Sequence, residues 1–366
     1  MKHLTFTVTN DLNYDQRMQR ICSTLAEQGY VVSLIGRKLK KSKPLPNLSY
    51  SQIRLFCFFS QGKLMYVEYN LRLFFYLLFA PSDCFVAIDL DTILPNYFVS
   101  ILRRKKRVYD AHELFTEQKE IIGRPLVKKI WLGIERFSIP KFKFGYTVND
   151  FIKTELNKQY GVEYEIIRNL PFYLPITNQD HVDEPFIIYQ GAVNEGRSFE
   201  TLIPAMKMVN AKLIVCGDGN FMNKLKALIN TNEVANKVEL KGMVSPEDLK
   251  KLTPRATVAI MLFEKSGLNQ YQSLANRFFD YIMAGVPQVC VNYPQYASIN
   301  YKYEIASMID DTKPETIAFA LNNLLGNAVY LKKMKQNCLL ARQHLNWEQE
   351  KKVLIEFYKK LFSSVE

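Results

Sequence analysis

Residues 263–291, FEKSGLNQYQSLANRFFDYIMAGVPQVCV, decide the fold. The stretch reads as a polar loop, a short helix and a strand. Ser273, Leu274, Ala275 and Asn276 stand where a helix begins, and Phe278, Phe279, Ile282 and Met283 recur at helical spacing. Gly285 and Pro287 end that helix, and Val289 to Val291 form a buried strand. Gln272, Asn276, Arg277 and Asp280 then fall in the first turns, with the helix N-terminus at the open end of a sheet. Such a terminus attracts anions. A carboxylate one turn further in, Asp280, accepts two hydroxyl hydrogen bonds and so suits a ribose. The expected ligand is a nucleotide held by its diphosphate and its ribose.

Working outward, strands and helices alternate on both sides. The first half opens with a strand at Leu4–Val8, a helix at Arg17–Gln28 and a strand at Tyr30–Ile35, a βαβ start that predicts a parallel sheet. The second half restarts at Phe186–Gln190 and continues through Lys212–Cys216, Val238–Leu240 and Ala256–Leu262. Between them, 170–185 holds Pro171, Pro175 and Pro185 with little periodicity and reads as a linker. The fold class is α/β: two Rossmann-like, doubly wound domains, 1–169 and 170–345, facing each other across a cleft, with 346–366 a final helix returning to the first. Ligands in such sheets sit at the C-terminal strand ends. His112, Gly191 to Arg197, Gly217 to Gly219 and the central stretch fall there. Gly191 and Gly196 let backbone N–H groups approach a phosphate, and Arg197 can neutralise it bidentately. His112 is open to two functional readings, general base or hydrogen-bond donor to a sugar or phosphate, beside a purely structural one.

The chain has 366 residues, enough for two cores, and a net charge of +12. Residues 1–170 carry 26 Lys and Arg against 16 acids; the remainder carry 22 against 20. A basic first half can meet nucleic acid, anionic lipid or a phosphorylated substrate, or form only a solvated face. No nucleic-acid-binding module is recognisable, so no nucleic acid is expected. The six cysteines include no CxxC pair and read as reduced core residues. The N-terminus lacks the apolar core of a signal peptide, which predicts a cytoplasmic location. The aromatic-rich helix Leu64–Phe79 is too short and too charged to span a bilayer; it reads as a core helix on the sheet, with rest on a membrane surface as the alternative. Asp89-Leu90-Asp91 has the look of a metal-binding DxD, but capping or loop hydrogen bonding is the favoured reading. No metal site is expected, and no cofactor beyond a nucleotide-sugar co-substrate.

The central stretch resembles the C-terminal signature of the group 1, or family 4, glycosyltransferases of GT-B fold, in the variant S-x-P-N-K-x-F-E-Y-x-x-A-G-x-P. Here it stands as Ser273, Ala275, Asn276, Arg277, Phe279, Asp280, Tyr281, Ala284, Gly285 and Pro287. VTNDLNYDQRMQRICSTLAEQGY (8–30), VYDAHELFTE (108–117) and YQGAVNEGRSFETLIPAM (189–206) are similar to the same group. The resemblance implies a bacterial enzyme of surface-polysaccharide or lipopolysaccharide assembly, retaining and metal-independent, using a UDP- or GDP-linked sugar. Donor-binding residues would be Gly191, Arg197, Gly217, Asp218, Met243, Val244, Asn276, Arg277 and Asp280. His112, with Gln272 or Glu264, would serve the reaction. Asn10, Asp11 and Asp15 would line the acceptor side, and the acceptor would be a glycan or a lipid-linked molecule. A basic first domain can also meet the inner, anionic face of a membrane. Gln272 stands where the group has its first Glu, Asp280 replaces the second, and Glu195 stands where a Lys is common. A nucleic-acid binder and a non-catalytic membrane-surface scaffold are the competing readings.

Overall fold

A computed structural model describes residues 1–13, 15–175, 184–265 and 267–363. The chain divides into two compact units, Met1–Asn169 with Gln349–Glu366, and Leu170–Glu348. Of the expected linker, 176–183 lies outside the described residues; Leu170 is fully buried and belongs to the second core.

The first unit has seven strands: β1 His3–Thr7, β2 Val31–Lys38, β3 Ser51–Phe56, β4 Cys84–Ile88, β5 Lys106–Ala111, β6 Phe144–Thr147 and β7 Glu165–Ile166. They pair in the order β3-β2-β1-β4-β5-β6-β7, all parallel. Strand order reverses between β1 and β4, and such a switch point opens a crevice at the C-terminal strand ends. Asn10, Asp89 and His112 follow β1, β4 and β5 at those ends. The helix Gln16–Glu27 buries Met18, Ile21, Cys22 and Leu25, the stripe its sequence predicts, and Arg17 with them. The helix Gly62–Phe79 buries Met65, Tyr69, Leu73 and Leu77, so the core reading accounts for one of its faces. The closing helix Trp347–Ser363 brings Tyr358 against Phe6 and Tyr146.

The second unit has six: β8 Phe186–Gln190, β9 Lys212–Cys216, β10 Val238–Gly242, β11 Val258–Met261, β12 Gln288–Val291 and β13 Ala306–Ile309, ordered β10-β9-β8-β11-β12-β13 and again all parallel. Its switch point lies between β8 and β11. The central helix runs Asn276–Ala284 and ends at Gly285 with φ 72°, where the Val286 N–H donates to the Tyr281 carbonyl. Phe278, Phe279, Ile282 and Met283 are all buried, as their spacing predicts. Residues 292–313, unassigned from the sequence, contain the helix Pro294–Tyr303 and β13.

Candidate active site

In the second unit, the loops after β8 and β9 touch backbone to backbone. Gly217 has φ +151°, and a Cβ there would lie 1.8 Å from the Gly191 carbonyl oxygen. Gly191, at φ +122°, donates to the Cys216 carbonyl. Gly217 is therefore demanded by packing and Gly191 by its positive φ, whatever they do for a phosphate. The Asp218 carboxylate accepts from the Gly219 N–H, and Gly242, where β10 ends, accepts from the Gly217 N–H. Met243 beyond it is 77% exposed. Val244 packs against the small cluster of Ile188, Cys216 and Tyr281.

Arg277 corrects the expectation that it is simply a polar group at the helix start. It is 8% exposed and folds back onto the ends of the central strands β8 and β11. Its Nη1 donates to the Tyr189 hydroxyl (2.6 Å) and its Nη2 to the Leu262 carbonyl (3.3 Å). The guanidinium lies 4.6 Å from the Tyr189 ring centre and 4.7 Å from that of Phe263. Arg197, from the loop after β8, lies 4.2 Å from the same Phe263 ring. Its Nε is buried without a hydrogen-bond partner. Burial, and then Arg277, lower its pKa. Among the described residues neither arginine has a carboxylate within ion-pair distance. Two guanidiniums thus share one aromatic ring with no anion to balance them, and the helix beside them starts at Ala275, which offers no side-chain cap. Two cations and an uncapped helix start are groups to which an anion is electrostatically suited.

Asp280 lies one turn further on, half-buried, and accepts from Gln190 Nε2 (3.3 Å); Gln190 Oε1 in turn accepts from Thr253 (2.7 Å). Its carboxylate is thus oriented by the end of β8. Asn276 is exposed. Glu264 is held next to the Gly196 loop, where its N–H donates to the Gly196 carbonyl (3.1 Å). Gln272 is not in the central helix, contrary to the sequence reading. It closes the short preceding helix Leu268–Tyr271, and its Oε1 accepts from Gln295 (3.3 Å). The break falls there because 273–275 leave the helical path before Asn276 re-enters it.

In the first unit, His112 belongs to a cluster the sequence reading found only in part. The buried Asp110 carboxylate takes the Arg17 fork, Nη2 at 2.8 Å and Nε at 3.3 Å, while Arg17 Nη1 donates to the Ile167 carbonyl. His112 Nε2 lies 3.1 Å from Asp110 Oδ2 and 2.9 Å from Arg17 Nε. Its Nδ1 lies 3.6 Å from Asp89 Oδ2, and its backbone N–H donates to Asp89 Oδ1. Burial opposes charge on the imidazole, but Asp110 and then Asp89 outweigh it and hold its pKa at about 9. In that state Nε2–H faces Asp110 Oδ2, whereas in the neutral ring Nε2 accepts from the Arg17 Nε–H. Burial lifts Asp89 to about 7 and Asp91 to about 6. Asp89 also has φ 53°, an unfavourable conformation for a non-glycine residue. Both DxD carboxylates are engaged by protein groups: Asp89 by His112, Asp91 by the Thr9 hydroxyl. Asp110 was visible at the chemistry-bearing end of its strand; Arg17 was missed and carried one signal: it stands four residues before Ile21, in line with the apolar stripe.

The three acceptor-side candidates are largely tied to one another and to the backbone. Asp15 caps the helix Gln16–Glu27 through the Met18 N–H and also accepts from Asn10 Nδ2 (2.7 Å). Asn10 Oδ1 accepts from the Leu12 N–H, and Asp11 accepts from Asn13 and Ser42. They shape the loop after β1.

Residues 177–360 match the family model of glycosyl transferases group 1. The fold is that of GT-B glycosyltransferases. Sucrose-phosphate synthase from Thermosynechococcus elongatus superposes with a TM-score of 0.79 over 100% of both chains at 14% identity. Anabaena HepE, solved in complex with UDP-glucose, superposes with a TM-score of 0.74 over 98% of this chain and 100% of its own at 10% identity. In sequence, the chain is 25% identical over 185 residues to an uncharacterised glycosyltransferase of Methanocaldococcus jannaschii, covering 48% of this chain and 45% of that relative. The chain belongs to the group 1 glycosyltransferase family, whose members are transferases of sugars.

Proposed function

We propose that the protein moves a sugar from a nucleotide-diphosphate donor to a glycan or lipid-linked acceptor, with retention and without a metal ion. One observation carries the reading: Arg197 and Arg277 flank one Phe263 ring with no carboxylate partner, and Arg197 Nε is buried and unbonded. A pyrophosphate supplies the missing charge and acceptor. As the sugar–phosphate bond breaks, negative charge grows on the diphosphate, and fixed cations in a poorly hydrated site stabilise it. Asp280, steadied by Gln190, takes the ribose hydroxyls; the Gly242–Val244 turn takes the base. The UDP-glucose bound by the HepE structure supports a nucleotide sugar as the donor class.

His112 is assigned as a hydrogen-bond donor to the donor sugar or its phosphate. Asp110 and Asp89 raise its pKa and favour the charged imidazole, which acts as a donor and not as a general base. Its Nδ1–H pairs with Asp89 at 3.6 Å, longer than a good hydrogen bond, and would turn to a ligand oxygen. Gln272 and Glu264 remain candidates for the sugar, and Asn10, Asp11 and Asp15 for the acceptor-side loop. An acceptor on a lipid would bring the protein to the cytoplasmic face of a membrane.

The test is a thermal-shift screen against UDP- and GDP-linked sugars. Selective stabilisation by one of them, with slow release of its nucleotide, is the expected result. No shift with any nucleotide or nucleotide sugar at millimolar concentration defeats the proposal.

A further inference from the structure

His112 stands between groups that make opposite demands on its ring. Asp110, near the end of β5, sets Oδ2 3.1 Å from Nε2, which suits a proton on that nitrogen. Arg17, from the helix Gln16–Glu27, aims its Nε–H at the same nitrogen from 2.9 Å, which suits a lone pair. Asp89, just beyond β4, sets Oδ2 3.6 Å from Nδ1 and accepts the His112 backbone N–H with Oδ1. The charged ring meets both carboxylates with N–H groups. The neutral ring has one proton to place, and its two nitrogens are not equivalent.

With that proton on Nε2, two N–H groups would face each other across 2.9 Å, and the Nδ1 lone pair would face the Asp89 carboxylate. With it on Nδ1, the Arg17 Nε–H finds an acceptor and Asp89 faces a proton. The one cost is a lone pair opposite Asp110 Oδ2, and Arg17 already offsets that carboxylate's charge through Nη2 at 2.8 Å. Arg17 is not placed to swing away. It is 4% exposed, its Nη1 donates to the Ile167 carbonyl (2.7 Å), and its guanidinium lies 5.9 Å from the Tyr146 ring centre. A planar guanidinium with donors in three directions holds Asp110, the carbonyl and the imidazole at once; an ammonium, with its donors on one atom, does not span them. The other titratable groups acting on this cluster are the acids Asp91, Glu113, Asp15 and Glu350, and the Tyr146 phenol. Negative charge there favours the cation but leaves the choice between neutral tautomers to the groups in contact.

We propose that Arg17 is a positioning residue that keeps a proton on His112 Nδ1 whether the ring is charged or neutral, so that the ring offers a ligand an N–H in both states and a lone pair in neither. The consequence for a ligand rests on the assignment of His112 as a hydrogen-bond donor to the sugar or its phosphate; the placement of the proton does not.

Nitrogen-15 NMR of the full chain without ligand reads the ring directly, with the His112 signals identified by their loss in His112→Asn. Titrated past the loss of its charge, near pH 10, the wild-type ring should show Nδ1 protonated and Nε2 bare. In Arg17→Lys the ratio of the two neutral tautomers should shift toward Nε2–H by about tenfold, the worth of one hydrogen bond. A bare Nδ1 in the neutral wild-type ring overturns the proposal, and so does an unchanged ratio in Arg17→Lys. Should that variant fail to fold, a scalar coupling between Arg17 Nε and His112 Nε2 in the wild type decides: its presence in the neutral ring supports the proposal and its absence overturns it. Kinetics with the UDP- or GDP-linked sugar that stabilises the chain, read as release of its nucleotide, then test the consequence. The ratio of wild-type to Arg17→Lys kcat should rise by about tenfold from pH 7 to pH 10. A merely loosened site would lose the same factor at every pH. A flat ratio with the proton found on Nδ1 sustains the role of Arg17 and overturns His112 as a donor to the substrate.

Discussion

Replacing Arg197 by Met separates a binding arginine from a structural one. The substitution keeps most of the side-chain volume over the Phe263 ring and removes the charge. In the free protein that charge is a burden: burial and Arg277 both disfavour it, and its Nε lacks a partner. A structural arginine, once removed, lowers stability. Here the loss of a ring contact worth about 0.5 to 2 kcal/mol is set against relief of repulsion and desolvation. The melting temperature should therefore stay within a few degrees of wild type or rise. Nucleotide binding should respond in the opposite sense, because a hydrogen bond to a charged partner contributes about 1.5 to 3 kcal/mol, or roughly 10- to 150-fold in Kd. Calorimetry with UDP and GDP, together with thermal melts without ligand, reads both quantities. A variant with lower stability and undiminished affinity would refute the reasoning.

Asp280→Asn should leave the fold unchanged and weaken nucleoside diphosphate binding by about tenfold, with little effect on inorganic pyrophosphate, since one good acceptor is lost at the ribose; equal losses for both ligands would count against the ribose role. Gly217→Ala should destabilise the second unit by ~3 kcal/mol or more, because its Cβ would collide with the Gly191 carbonyl oxygen; a wild-type melting temperature would contradict that packing. His112 has a folded-state pKa raised above its ordinary value, so its contribution, about 3 kcal/mol by linkage, is complete below pH 6.5 and lost as pH rises through 9. Nitrogen-edited NMR of the imidazole should show a cation at pH 7.5, and Asp110→Asn should bring its titration down toward the ordinary range; a neutral ring at pH 7.5 with Nδ1 bare would reverse its assignment as a donor.

The fold was legible wherever apolar periodicity was strong. Residues 278–283 and the Gly285 stop fixed the central helix because packing against the second core requires that face. Residues 292–313 were not legible. The helix there holds three tyrosines and buries only Tyr296, and β13 is a four-residue edge strand with two half-buried positions. At the site, residue types were easier to read than their surroundings. Arg277 was visible as a cation, but its burial depends on Tyr189 and Leu262, which pattern alone does not bring beside it. His112 was visible at a strand end; its charge state depends on Asp110 and Asp89, whose carboxylates converge only once β4 and β5 pair. Asn10 and Asp15 suggested a ligand because they are polar and near a strand end, yet local capping occupies much of their hydrogen-bonding capacity.

The decisive measurement is a crystal structure of the chain soaked with UDP or GDP and their sugar conjugates. The account predicts a pyrophosphate accepting from Arg197 Nε, close to the Arg277 guanidinium, with the ribose hydroxyls on Asp280. A nucleotide bound elsewhere, with Arg197 and Arg277 still facing Phe263 and no phosphate, would contradict it.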